Sequence, residues 1–119
     1  METDNQNHPN LGAYKLKVLS GESAGLEHVL SQQVTIIGRS PKCDFYLPDS
    51  SVSRVHCNLK LQNRDWILED LNSANGTWLW GRQISKPTRV PPHSQFNVGE
   101  AIVELAEVEL KGKTSLNLS

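Results

Sequence analysis

Three short polar stretches of this 119-residue chain hold the residues whose types and spacing suit chemistry. The first is Gly38-Arg39-Ser40, directly after the apolar run Val34-Thr35-Ile36-Ile37. An arginine leaving a strand end carries a rigid fork of donors that fits a phosphate or carboxylate bidentately. The bland alternative is a solvated surface side chain. Gly38 beside it serves either an unusual φ or the close approach of a second backbone. The second stretch, Ser51-Val52-Ser53-Arg54-Val55-His56, crowds hydroxyl, guanidinium and imidazole groups together. Ser53 can donate its hydroxyl proton to an anion, and Arg54 can add charge. His56 has two readings, a catalytic base or a ring that hydrogen-bonds a nearby loop and fixes its shape; the second is preferred. The third stretch runs from Asp70 to Thr77 and contains Asn75-Gly76, a tight-turn signal because both residues tolerate positive φ. Local chemistry leaves it open whether this is a plain hairpin turn or a turn from which Asn75 bonds the backbone of a bound peptide.

Enzymatic constellations are weaker. Ser53 or Cys57 with His56 and Asp70 would supply nucleophile, base and acid, but neighbours such as His56 and Cys57 point to opposite faces of a strand. No G-x-S-x-G elbow or Walker A loop is present. Cys43, His56 and Cys57 lack recognisable metal-ligand spacing. The reading is therefore non-enzymatic, with no catalytic residue, no metal site and no cofactor. Cys43 and Cys57 form no C-x-x-C pair and suit small reduced thiols in a reducing, cytoplasmic compartment.

The elements that must position these stretches all read as strands. Tyr14, Leu16 and Val18 alternate with Lys15 and Lys17, and Cys57, Leu59 and Leu61 alternate with Asn58, Lys60 and Gln62. Trp66-Ile67-Leu68 follows a turn at 63–65, and Thr77-Trp78-Leu79-Trp80 reads as a short aromatic strand. Residues 101–110 are apolar on both faces, as in a doubly buried or bulged strand. Turn chemistry recurs at Ser40-Pro41, Pro48-Asp49, Gly81 and Pro91-Pro92, and no stretch sustains a helical period. Short strands at regular spacing predict an all-β sandwich or barrel. Residues 1–12 and 111–119 read as flexible polar tails around one domain over 13–110.

Composition narrows the partner. Net charge is −1 and the pI is about 6.4, without the basic footprint of a nucleic-acid binder. No run is long and apolar enough to span or insert into a bilayer. Charge is uneven: residues 100–110 carry four Glu and no base, while Arg39, Lys42, Arg54, Arg82, Lys86 and Arg89 fall in segments that read as loops. A local positive site on a weakly acidic body suits an anionic ligand.

Taken in order, G-R, then S-x-x-H with an Arg inside it, then D-L-x-S-x-N-G-T, the chain resembles the forkhead-associated (FHA) domain family. Phe96-Asn97-Val98-Gly99-Glu100 before an apolar strand looks like that family's closing segment, so the resemblance covers roughly residues 14–110. It implies a two-sheet antiparallel β-sandwich with binding loops at one end. It also implies phosphothreonine recognition in a partner protein, with a Ser/Thr kinase or its substrates among the candidate partners. By that resemblance Arg39 contacts the phosphate, Ser53 hydrogen-bonds it, Arg54 lies beside it and Asn75 holds the peptide main chain. Gly38, His56, Gly76 and Thr77 match positions that shape the loops. Trp80 stands where the family usually has a second Asn that braces the loop, and Ala74 replaces a Ser or Thr. Ser51 stands where some members read the third peptide position after the phosphothreonine. Thr3, between Glu2 and Asp4, is a candidate for phosphorylation and capture by such a module. The other reading is an FHA-like scaffold, as in secretion systems, that binds partners without regard to phosphate.

Overall fold

The structure, a computed structural model, describes residues 11–109. Eleven strands form two sheets, with no helix among the described residues. The six-stranded sheet has the order β2-β1-β11-β10-β7-β8, from Glu27–Val29, Tyr14–Ser20, Ala101–Glu107, Gln95–Val98, Thr77–Leu79 and Arg82–Gln83. The five-stranded sheet has the order β4-β3-β5-β6-β9, from Phe45–Tyr46, Val34–Gly38, Cys57–Gln62, Asp65–Asp70 and Thr88–Val90. All pairings are antiparallel except the two-residue parallel match of β3 with β4. The expected sandwich is therefore present.

Alternation explains the core. Leu16 and Val18 on β1, Phe96 and Val98 on β10, and Val103 and Leu105 on β11 turn inward from one sheet. Ile37, Leu59, Leu61, Trp66 and Leu68 meet them from the other. Each such side chain contributes about 1.5–3 kcal/mol by leaving water, which suffices to hold two facing sheets without cross-links. Both cysteines are free. Leu11 packs on this core, and the Gly12 N–H donates to the Leu30 carbonyl (2.8 Å).

Several sequence expectations are corrected by register. β11 lies between β1 and β10 and alternates buried with half-buried residues, so it is covered on one face only. The irregularity falls instead on β1, where the pairing with β11 shifts between Val18 and Ser20. Trp80 is not in a strand. It forms, with Gly81, the two-residue turn joining Leu79 to Arg82, and both residues have positive φ (53° and 78°). Asn75-Gly76 is not a hairpin turn, because the 71–76 loop carries the chain from the five-stranded to the six-stranded sheet. Only Gly76 of that pair has positive φ (88°). The hairpin turn near residue 64 is Asn63-Arg64, again with both φ positive. Arg82 and Arg89 lie in strands β8 and β9 rather than loops, and Arg89 pairs with Asp65 at 3.1 Å.

Candidate functional site

The loops β3–β4, β4–β5 and β6–β7 meet at one end of the sandwich, and residues 51–54 tie them together. Four successive carbonyls of that segment accept bonds from the neighbouring loops. Ser51 O takes the Asn75 side-chain amide (2.8 Å), and Val52 O takes Arg39 Nε (2.8 Å). Ser53 O takes the Arg39 backbone N–H (2.9 Å), while Arg54 O takes the Ser40 N–H (3.1 Å) and the Cys43 thiol (3.2 Å). Sequence-distant Arg39, Ser53, Arg54 and Asn75 are thereby joined through one strip of backbone.

Gly38 makes that strip possible. Its φ is not in the positive range, so of its two sequence readings close approach is the correct one. A methyl group at Gly38 would run into the Arg54 carbonyl and come within 2.9 Å of Cys43 Sγ.

The donors facing outward are unspent. Arg39 is exposed, and anchoring its Nε to Val52 O leaves the terminal guanidinium nitrogens unengaged among the described residues. Arg54 and Lys42, both exposed, form no ion pair among the described residues. Ser53 Oγ accepts the Ala74 N–H at 2.9 Å. Because an accepting hydroxyl keeps its own hydrogen, Ser53 retains a donor for a further acceptor. Asn75 spends one amide hydrogen on Ser51 O and keeps Oδ1 and its second N–H.

His56 is fully buried, because it precedes β5 and turns into the junction of the loops. Its Nδ1 accepts the Ser53 N–H (3.0 Å), so the proton sits on Nε2, which donates to Gly76 O (2.9 Å). Burial pushes its pKa down, outweighing the opposing pull of the Gly76 carbonyl and Asp70, and the ring stays neutral. With both nitrogens committed to backbone, His56 links the Ser53 loop to the Gly76 loop and reaches no nucleophile.

By its residue type Asp70 reads only as a candidate catalytic acid. It is the anchor of the 71–76 loop, accepting the Ser73 N–H (3.1 Å), the Ser73 hydroxyl and the Thr77 hydroxyl (2.6 Å). Burial raises its pKa, but the Ser73 and Thr77 bonds more than offset that and hold it below the usual carboxylate value. Ser73 Oγ in turn accepts the Gly76 N–H (2.9 Å). The bracing expected from an Asn at position 80 comes from Trp78, whose indole N–H donates to Asn75 O (3.1 Å). Sequence does not reveal this role of Trp78, because an indole in an aromatic strand reads as core packing. Ser51 donates to Asp49 Oδ1 (2.7 Å) and accepts the Glu100 N–H (2.9 Å), so its single hydroxyl hydrogen is already committed within the loops. Asp49 also takes the Ser51 and Glu22 N–H groups. Cys57 is fully buried, which pushes its thiol pKa up and leaves it inert. Thr3 lies outside the described residues.

Both the sequence and the fold that carry these loops have counterparts among known proteins. The family model of the FHA domain matches residues 35–99. The chain belongs to the FHA domain family. FHA domain-containing protein FhaB of Mycobacterium tuberculosis is 33% identical over 90 residues, which cover 76% of this chain and 58% of FhaB. This FHA chain thus spans little more than half the length of that relative. Among solved structures, the FHA domain of CT664 protein from Chlamydia trachomatis is 29% identical with a TM-score of 0.74, covering 82% of this chain and 99% of that one. An FHA domain solved in an analysis of phosphothreonine-dependent FHA domain interactions is 26% identical with a TM-score of 0.71, again covering 82% and 99%. FHA domains are interaction modules, and no helix among the described residues of this one is long and apolar enough to cross a membrane.

Proposed function

We propose that this FHA domain is a non-catalytic module that recognises phosphothreonine in a partner protein, in kinase-dependent signalling or assembly. The observation that carries the reading is the state of Ser53. Its oxygen is held by Ala74 N–H while its own hydrogen remains to be given, on a loop that also carries unpaired Arg54 and is bonded to Arg39. A phosphothreonine brings about −1.5 to −2 charges and three strong acceptor oxygens, which match such a donor set. Arg39 would engage the phosphate through its terminal nitrogens, Ser53 through its hydroxyl and Arg54 by added charge. Asn75 would bond the peptide main chain through the amide groups it has left. Hydrogen bonds to a charged group contribute about 1.5–3 kcal/mol each, so a few convergent donors anchor a short peptide. Loops already fixed by His56, Asp70 and Trp78 lower the ordering cost of binding. The two structural neighbours and FhaB belong to the same family and lend support.

Calorimetry with one peptide in phosphorylated and unphosphorylated forms, against the parent and Arg39→Ala, tests this. Binding only of the phosphorylated form, abolished by Arg39→Ala while the domain stays folded, is expected. Equal binding of both forms would instead favour a phosphate-independent scaffold role.

A further inference from the structure

The Asn75 end of the loop cluster opens onto the outer face of the six-stranded sheet. There Trp78, Asn97 and Ile102 are cross-strand neighbours in one row, half-buried and turned away from the core. Two depressions lie along this face, of about 370 Å³ and 410 Å³. The first is lined by Gly99, Glu100 and Trp78, the second by Trp80, His93 and Ile102; Gly81 and Asn97 line both, so they form one trough. Its upper end is bonded to the candidate site: Gly99 N–H donates to Gly76 O (3.0 Å), and Glu100 N–H donates to Ser51 Oγ (2.9 Å). Trp80 is among the residues that line the second depression.

Trp80 stands out in two independent ways. It holds a left-handed conformation, φ 53°, in a two-residue turn. A side chain of its type gives up roughly 1–2 kcal/mol there, which Gly or Asn largely avoids. It is also 67% exposed, the most exposed of the large apolar side chains among the described residues. Neither the turn nor the core accounts for an indole at that place, whereas a buried indole is a frequent anchor of binding energy.

We infer that the trough seats the continuation of the phosphothreonine-bearing segment, with an apolar side chain of the partner packed against Trp80. This rests on the phosphothreonine reading of the loops. Continuity with the Asn75 loop selects this occupant: a main chain held there leaves the loops directly over Trp78. The strand from Gly76 to Trp80 rises about 13 Å, so an extended segment reaches Trp80 after about four residues and carries its apolar side chain roughly four to seven residues from the phosphothreonine. Glu100 is exposed at the entrance and forms no ion pair among the described residues. It disfavours acidic residues in between and accepts basic ones.

The test is a positional-scanning library with fixed phosphothreonine and eight degenerate residues on each side, screened on the parent, Trp80→Asn and Ile102→Thr. Enrichment of apolar residues at one distal position on one side is expected, together with depletion of Asp and Glu between. A peptide carrying that residue should bind about tenfold more tightly than a version truncated next to the phosphothreonine. Both substitutions should erase that gain while the truncated peptide binds all variants equally. Phosphate-dependent binding with no distal selection overturns the trough inference and leaves the phosphothreonine reading standing. Absence of phosphate-dependent binding overturns both. Concentration-dependent self-association lost in Trp80→Asn, without distal selection, overturns it in favour of a second copy as occupant.

Discussion

The hydroxyl oxygen of Ser53 accepts the backbone N–H of Ala74 at 2.9 Å, joining the β4–β5 loop to the β6–β7 loop through the same atom proposed to meet phosphate. Ser53→Ala therefore removes a ligand donor and orphans a loop N–H at once. We expect phosphopeptide binding to weaken by about 1.5–3 kcal/mol and stability to fall by about 0.5–1.5 kcal/mol. Titration calorimetry and urea unfolding measure the two effects separately.

Gly38→Ala should act on both loops as well, because the added methyl meets the Arg54 carbonyl. Backbone cannot step aside as a flexible side chain can, so a loss of about 1–3 kcal/mol in stability is expected. Affinity should fall with it, since displacing Arg54 O loosens the bonds from Ser40 and Cys43. Parallel denaturation and binding curves would show whether the losses occur together.

Acid should weaken the fold in a definite window. Burial lowers the His56 pKa, so the unfolded chain takes up a proton near pH 6.5 while the folded chain resists until lower pH. Stability from this source is complete above pH 6.5 and is lost as pH falls through the folded value. His28, whose pKa burial also lowers against the pull of Asp44, adds in the same direction. His56→Gln should thus reduce the slope of unfolding free energy between pH 5 and 7 without removing it. A slope unchanged by the substitution would count against a neutral, buried imidazole.

Asp70 sets a second, more acidic stage. Its pKa is held low, so its contribution is present above about pH 4 and disappears as pH falls through the folded value. Asp70→Ala should destabilise by about 1–3 kcal/mol because the fully buried Thr77 loses its acceptor and the Ser73 bonds go with it. Amide hydrogen exchange should rise chiefly over residues 71–77.

Trp80→Asn should raise rather than lower stability. Relief of the left-handed strain is expected to contribute about 1–2 kcal/mol, several degrees in melting temperature. Differential scanning calorimetry reads this directly, and a lower melting temperature would show that the indole supports the fold.

Strand alternation and turn residues were enough to specify the class of this fold, since period-two burial on Leu16/Val18, Leu59/Leu61 and Trp66/Leu68 depends only on neighbours in the chain. The order of Gly38-Arg39, Ser53-Arg54 and Asn75 also made the family legible. What remained hidden depended on which strands lie side by side. Burial of His56, one-sided burial of β11 and the placement of Arg82 and Arg89 in strands follow from sheet order and register, which no local pattern encodes. Sequence left Gly38 between unusual φ and close approach, and only the carbonyl of Arg54, sixteen positions away, decides for contact. Likewise Asn75-Gly76 was an equally good hairpin by its residues, and the crossing of the chain between sheets made it a loop. Residue types set which chemistry was available; tertiary contacts set which atoms were already spent and which were left to give.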